Sequence, residues 1–224
     1  LCMDRAGLAG EDGPTHHGTF DLAYLRHVPG IVVAAPRDGN ELRDLMATAL
    51  EHDDGPFAIR YPKALAGPFD PAGRPQVLEV GRWSVARPGG DAAILAVGPM
   101  VDLALVAAER LAQEGLSVEV VNCRFVKPLD EEYLSRRVGG MTRVLTVEEG
   151  CLPGGFGSAV LEWKEQRRLA IPVLCMGLPD RYITHGTRAE LLNEAGLTAE
   201  GIARTLTEGW IRKAAAPRSD SAAF

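Results

Sequence analysis

Apolar positions along the chain alternate between two rhythms, short unbroken runs and helical repeats. Residues 31–35 (IVVAA), bounded by Gly30 and Pro36, form a continuous apolar run that predicts a buried strand. Asp38 followed by Glu41 marks a helix start. Leu42, Leu45, Met46, Ala49 and Leu50 then recur at helical spacing until Asp53, Asp54, Gly55 and Pro56 stop the helix. Residues 57–61 read as the next strand. The unit is β-α-β, which implies a right-handed crossover between parallel strands. It places Arg60 near the carboxyl end of its strand, where open parallel sheets usually bind ligands.

Residues 63–90 are rich in proline and glycine, with only 77–86 strand-like, and read as an interdomain linker stiffened by its prolines. From Asp91 strands and helices alternate again. Residues 92–97, 118–121, 143–147 and 173–176 are candidate strands. Val101, Leu105, Ala108 and Leu111 mark a helix that Gly115 ends, and Asp130 caps another running through Val138. Residues 156–168 predict a further helix. Thr187 with Glu190 forms a capping box, Gly196 closes that short helix, and Ile202, Leu206 and Trp210 line the last one. Such alternation predicts a second α/β layer structure. The expected division is residues 1–62, a linker over 63–90, a domain over 91–213, and a disordered tail over 214–224, which is small and polar.

The formal charge of −6 leaves no basic excess for general nucleic-acid or anionic-membrane binding, although a local arginine pocket for one small phosphate is compatible with it. No apolar run is long enough to span a bilayer, and Leu1-Cys2-Met3 shows no export signal. Cys2, Cys123, Cys151 and Cys175 are scattered without a CxxC pair, so neither a zinc site nor a disulfide framework is expected. Cys2, Cys123 and Cys175 lie in apolar runs and read as buried small hydrophobes of a protein in a reducing, cytoplasmic compartment.

Chemistry concentrates in residues 4–26, DRAGLAGEDGPTHHGTFDLAYLR, where Arg5, Asp12 and His16 sit among glycines 7, 10, 13 and 18. Asp12 and His16, separated by Gly13-Pro14-Thr15, are compatible with a plain structural turn or with a proton-handling pair. Arg5 and Arg60 read as ordinary surface ion pairs or as a phosphate clamp, since a guanidinium fork matches phosphate oxygens. Glu148 and Glu149 precede a glycine-rich loop and suit a general base, a helix-start contact or an interface charge. His27, His52 and His185 read as structural, and His17 as a pocket-lining or solvent-facing residue. Residues 154–158, GGFGS, open a helix that can hold an anion, but they fit neither G-x-G-x-x-G nor a P-loop and read as a packing turn.

Residues 4–26 resemble, almost letter for letter, a segment of the 1-deoxy-D-xylulose-5-phosphate synthases, thiamine-diphosphate enzymes of the transketolase superfamily. The resemblance continues through residues 28–36, Ile59-Arg60-Tyr61-Pro62, residues 124–130 (RFVKPLD), 147–158 (VEEGCLPGGFGS), 177–180 (GLPD) and His185-Gly186-Thr187. It implies the end of a pyrimidine-binding parallel α/β domain followed by a transketolase C-terminal-like α/β/α three-layer domain. It also implies a homodimeric enzyme that condenses pyruvate with glyceraldehyde 3-phosphate, releasing CO₂, on thiamine diphosphate and Mg²⁺. Arg5 and Arg60 then match positions that bind the acceptor phosphate, and Asp12 and His16 positions beside the reacting centre. The matching family leaves Glu148 and Glu149 without a catalytic role.

The superfamily's Gly-Asp-Gly metal motif does not occur in the sequence, and Asp38-Gly39-Asn40 lacks its spacing. The chain starts as if mid-strand, so it is expected to be part of a longer protein, with the cofactor's main anchors before Leu1 and no activity alone. The alternatives are a transketolase, a 2-oxo-acid dehydrogenase β-subunit, or a non-catalytic assembly module. Arg5-Ala6-Gly7-Leu8 with residues 20–26 favours the synthase.

Overall fold

The computed structural model describes residues 1–67 and 69–214; the tail expected from Ala214 lies, apart from that first residue, outside the described residues, as does the side chain of Trp210. Two sheets organise the chain. The first contains β1 (Cys2–Met3), β2 (Val32–Ala34), β3 (Phe57–Arg60) and β7 (Phe125–Lys127), in the order β1-β3-β2-β7. Strands β2 and β3 are parallel neighbours joined through helix α2 (Gly39–Leu50), as the β-α-β pattern requires. The second sheet runs β4-β6-β5-β8-β9, from β4 (Ser84–Arg87), β5 (Ala92–Ala96), β6 (Val118–Asn122), β8 (Arg143–Cys151) and β9 (Val173–Leu178). Only β4, at its edge, is antiparallel.

Alternation of side chains across β5 divides the interior. Ala93 and Leu95 join one core with the first sheet, while Ala92, Ile94 and Ala96 join another under α3 (Met100–Gln113) and α7 (Ala199–Ala214). The first core takes Leu134 of α4 (Glu131–Arg137) and Phe156, Val160 and Trp163 of α5 (Phe156–Gln166). The second half is thus a three-layer α/β/α arrangement.

Helix ends follow local chemistry. Asp38 accepts from the Glu41 N–H at 2.9 Å, and Asp130 from the Tyr133 N–H at 2.8 Å. Thr187 and Glu190 form the full capping box of α6 (Arg188–Glu194), and Gly196 follows at φ +72°.

Three expectations change. The linker stretch 63–90 ends inside the second sheet, with strand only over Ser84–Arg87; Gly81 turns the chain at φ +82°, and Trp83 anchors it by donating from Nε1 to the Phe125 carbonyl at 2.8 Å. Strand β7 carried no apolar alternation to mark it, yet it crosses over to pair antiparallel with β2. Cys2 is exposed and Cys175 only half-buried, because β1 and β9 are edge strands with one open flank.

Candidate functional site

Residues 4–26 leave β1 and fold as a stitched loop. The Ala6 N–H donates to the Tyr61 carbonyl at 3.0 Å, extending the β1–β3 pairing. Gly7 N–H then donates to Gly18 O at 3.2 Å and Gly18 N–H to Arg5 O at 2.9 Å, closing the loop at its base. Within it Gly10–Asp12 forms a 3₁₀ turn, and His16 and His17 both donate from their N–H groups to Gly13 O. The loop then enters helix α1 (Asp21–Arg26). Gly7 is required at its place: φ is +67°, and a Cβ there would lie 2.5 Å from Glu149 Cγ.

Arg5 and Asp12 come together, Nε to Oδ2 at 3.4 Å, and Lys63 Nζ reaches both Asp12 oxygens at 2.8 Å. The hydrogen bond from Lys63, assisted by Arg5, holds the Asp12 carboxyl below the usual carboxylate range. His16 is exposed on the next turn, with Nδ1 3.0 Å from Thr15 Oγ1. No hydrogen bond joins it to Asp12 among the described residues.

Arg60, the last residue of β3, turns inward. Its Nε donates to Asp21 Oδ1 at 2.5 Å, and Nη2 donates to the carbonyls of Gly18 at 3.1 Å and Glu149 at 2.6 Å. Nη1 takes no part in these bonds. Arg5, by contrast, is bonded at its rim to Asp4 and Asp12 and remains open to solvent. The two arginines meet through Gly18, whose N–H bonds one residue's carbonyl and whose carbonyl bonds the other's guanidinium.

The acidic pair at the end of β8 resolves into two jobs. Glu148 is fully buried and accepts from Phe156 N–H and Gly157 N–H, both at 2.8 Å. That helix start, read from the sequence as a packing turn, is occupied by the protein's own carboxyl group. A Cβ on Gly155 would collide with the Glu148 carboxylate, so the GGFG run is a cradle for it. Burial pushes the Glu148 carboxyl up to about 7 against the pull of those N–H groups and of Arg60 and Arg26. Glu149, 3% exposed, accepts from Leu8 N–H at 2.9 Å and is ion-paired with Arg188.

Lys63, Asp21 and Arg188 were not singled out by the sequence; each acts by pairing with a residue distant along the chain, which local spacing does not reveal. A cleft of about 280 Å³ is lined by Arg37, Tyr61 and Arg188 but by none of Arg5, Asp12, His16 and Arg60. No group of three or more His, Cys, Asp or Glu side chains is poised for a metal among the described residues. Four of the nearby carboxylates are committed: Asp12 to Lys63, Asp21 to Arg60, Glu148 to helix N–H groups and Glu149 to Arg188. This donor set does not fit a Mg²⁺-diphosphate anchor. No helix among the described residues is long and apolar enough to cross a membrane.

Comparison with known proteins adds the lineage. The family model for the transketolase pyrimidine-binding domain matches residues 1–68, and that for the transketolase C-terminal domain matches residues 81–202. A 1-deoxy-D-xylulose-5-phosphate synthase of Gloeobacter violaceus is 48% identical over 218 residues, covering 93% of this chain and 33% of that protein. The synthase of Thermomicrobium roseum is 50% identical over 207 residues, covering 92% of this chain and 33% of that protein. The chain therefore spans about a third of the length of these curated relatives. A solved structure described as a split gene transketolase, an inactive beta4 tetramer, is 33% identical with a TM-score of 0.78, covering 92% of this chain and 64% of that one.

Proposed function

The chain belongs to the transketolase family, and on that premise we propose that it is the latter part of a 1-deoxy-D-xylulose-5-phosphate synthase. The whole protein condenses pyruvate with glyceraldehyde 3-phosphate and releases CO₂. The observation that carries this reading is the stitched loop that puts the open guanidinium of Arg5 beside Asp12 and ties the Arg5 backbone through Gly18 to the guanidinium of Arg60. Arg5 and the Nη1 edge of Arg60 receive the acceptor phosphate. Asp12, kept ionised by Lys63 and Arg5, orients the reacting group, and His16 holds or moves a proton at the reacting carbonyl oxygen.

Thiamine diphosphate and Mg²⁺ are held by residues of the longer protein outside this segment, in keeping with the committed carboxylates here. On this reading residues 1–62 complete the pyrimidine-binding domain, 91–213 form the C-terminal domain, and the whole enzyme is a cytoplasmic homodimer.

The test is turnover by the full-length protein with pyruvate, glyceraldehyde 3-phosphate, thiamine diphosphate and Mg²⁺. Release of CO₂ that depends on both substrates, with formation of the deoxyketose phosphate, is expected. Preference for a ketose-phosphate donor over pyruvate would make the protein a transketolase instead.

A further inference from the structure

The turn over residues 184–188 belongs to the second half of the chain, yet it lies against residues 10–17 of the loop. His17 accepts from the Ala9 N–H at Nδ1, 2.9 Å, which puts its proton on Nε2, 3.3 Å from the Thr184 carbonyl. A Cβ placed on Gly13 would stand 3.4 Å from His185 Cβ, and one on Gly10 3.4 Å from both Arg188 N and Gly186 O. Beneath these contacts Arg188 grips Glu149 at two points, Nε to Oε1 at 3.2 Å and Nη2 to Oε2. Glu149 in turn accepts the Leu8 N–H and fills the space beside Gly7.

We propose that Arg188, acting through Glu149, is a positioning residue for the phosphate-receiving loop, and that the 184–188 turn is the buttress carrying it. A buried carboxylate keeps its charge only when paired. The guanidinium fork supplies the opposite charge and also fixes the carboxylate's orientation, which an ammonium cannot do as well. A fixed carboxylate fixes Gly7 and Leu8, the residues that set where Arg5 stands relative to Asp12. The second domain thereby acts on the first domain's chemistry without touching substrate. The inference rests on the synthase reading above for the identity of the phosphate.

The experiment compares Arg188→Lys, Arg188→Met and wild type in the full-length protein. Two quantities are read: KM for glyceraldehyde 3-phosphate, unphosphorylated glyceraldehyde and pyruvate, and the hydrogen-exchange rate of the Leu8 amide. Arg188→Met is expected to raise KM for glyceraldehyde 3-phosphate roughly 10- to 100-fold, the cost of a small misplacement. The other two KM values should stay within about threefold, since uniform binding there is not touched. Arg188→Lys falls between, and Leu8 exchange rises about tenfold in Arg188→Met as its acceptor loosens. Should Arg188→Met not fold, Arg188→Lys carries both readouts. An unchanged KM for glyceraldehyde 3-phosphate, equal losses with both acceptors, or unchanged Leu8 exchange overturns the proposal. Absence of turnover in wild type sinks the synthase reading instead, and Leu8 exchange then decides alone whether Arg188 holds the loop.

Discussion

Arg60 Nε stands 2.5 Å from Asp21 Oδ1, with the two side chains 4% and 2% exposed. Breaking such a pair leaves one uncompensated charge in the interior, at a cost of about 3–5 kcal/mol. Arg60→Met is therefore expected to lower unfolding free energy by that amount in denaturant titration, and adding Asp21→Asn should restore much of it. A loss below about 1 kcal/mol, the scale of a surface pair, would mean that the pair is hydrated.

Glu148 makes stability depend on pH in an unusual direction. Its carboxyl sits at about 7 in the folded protein, above its value of 4.5 when unperturbed. Between those values the folded state binds the proton more tightly, so this group's contribution is complete below pH 4.5 and is lost as pH rises through 7. The full span is about 3 kcal/mol at 1.36 kcal/mol per unit. Melting curves across this range should fall more gently with rising pH in Glu148→Gln than in wild type. Parallel curves would show that Glu148 does not titrate there.

Lys63 is expected to govern the charge of Asp12. In Lys63→Met the Asp12 carboxyl should move up toward the ordinary carboxylate range, because its first hydrogen-bond donor is gone. Carbon-detected NMR titration of the Asp12 carboxyl reads this directly. No movement would assign its depression to Arg5 alone.

Phe125 lies in the strand that the second half lends to the first sheet, and its side chain is fully buried. Phe125→Ala should cost about 3–5 kcal/mol. Because one core spans both sheets, calorimetry should show a single transition moved down in temperature. Two separated transitions would show that the halves melt independently.

Much of the architecture was legible because it is written locally. Asp38, Asp130 and the Thr187–Glu190 box announce their helices within one turn, and the apolar runs announce β2, β5 and β6. The missed pieces depend on distance: β7 is defined only by its partner β2, and Leu8 meets Glu149 across 141 residues. At the site, Arg5, Asp12 and His16 were marked by glycine spacing and by resemblance. The inward turn of Arg60 was not, since nothing near it in sequence reveals Asp21 as its partner. The GGFG run was read as a turn, and its use as a cradle needed Glu148 in place.

The most direct measurement is the preference of the full-length protein for glyceraldehyde 3-phosphate over unphosphorylated glyceraldehyde, as a ratio of kcat/KM with pyruvate as donor. A hydrogen bond to a charged group contributes about 1.5–3 kcal/mol, so Arg5→Met should reduce that preference roughly 10- to 150-fold. Turnover with the unphosphorylated acceptor should remain near wild type. An unchanged preference in Arg5→Met would contradict the account, because the loop over residues 4–26 would then not be the part of the protein that reads phosphate.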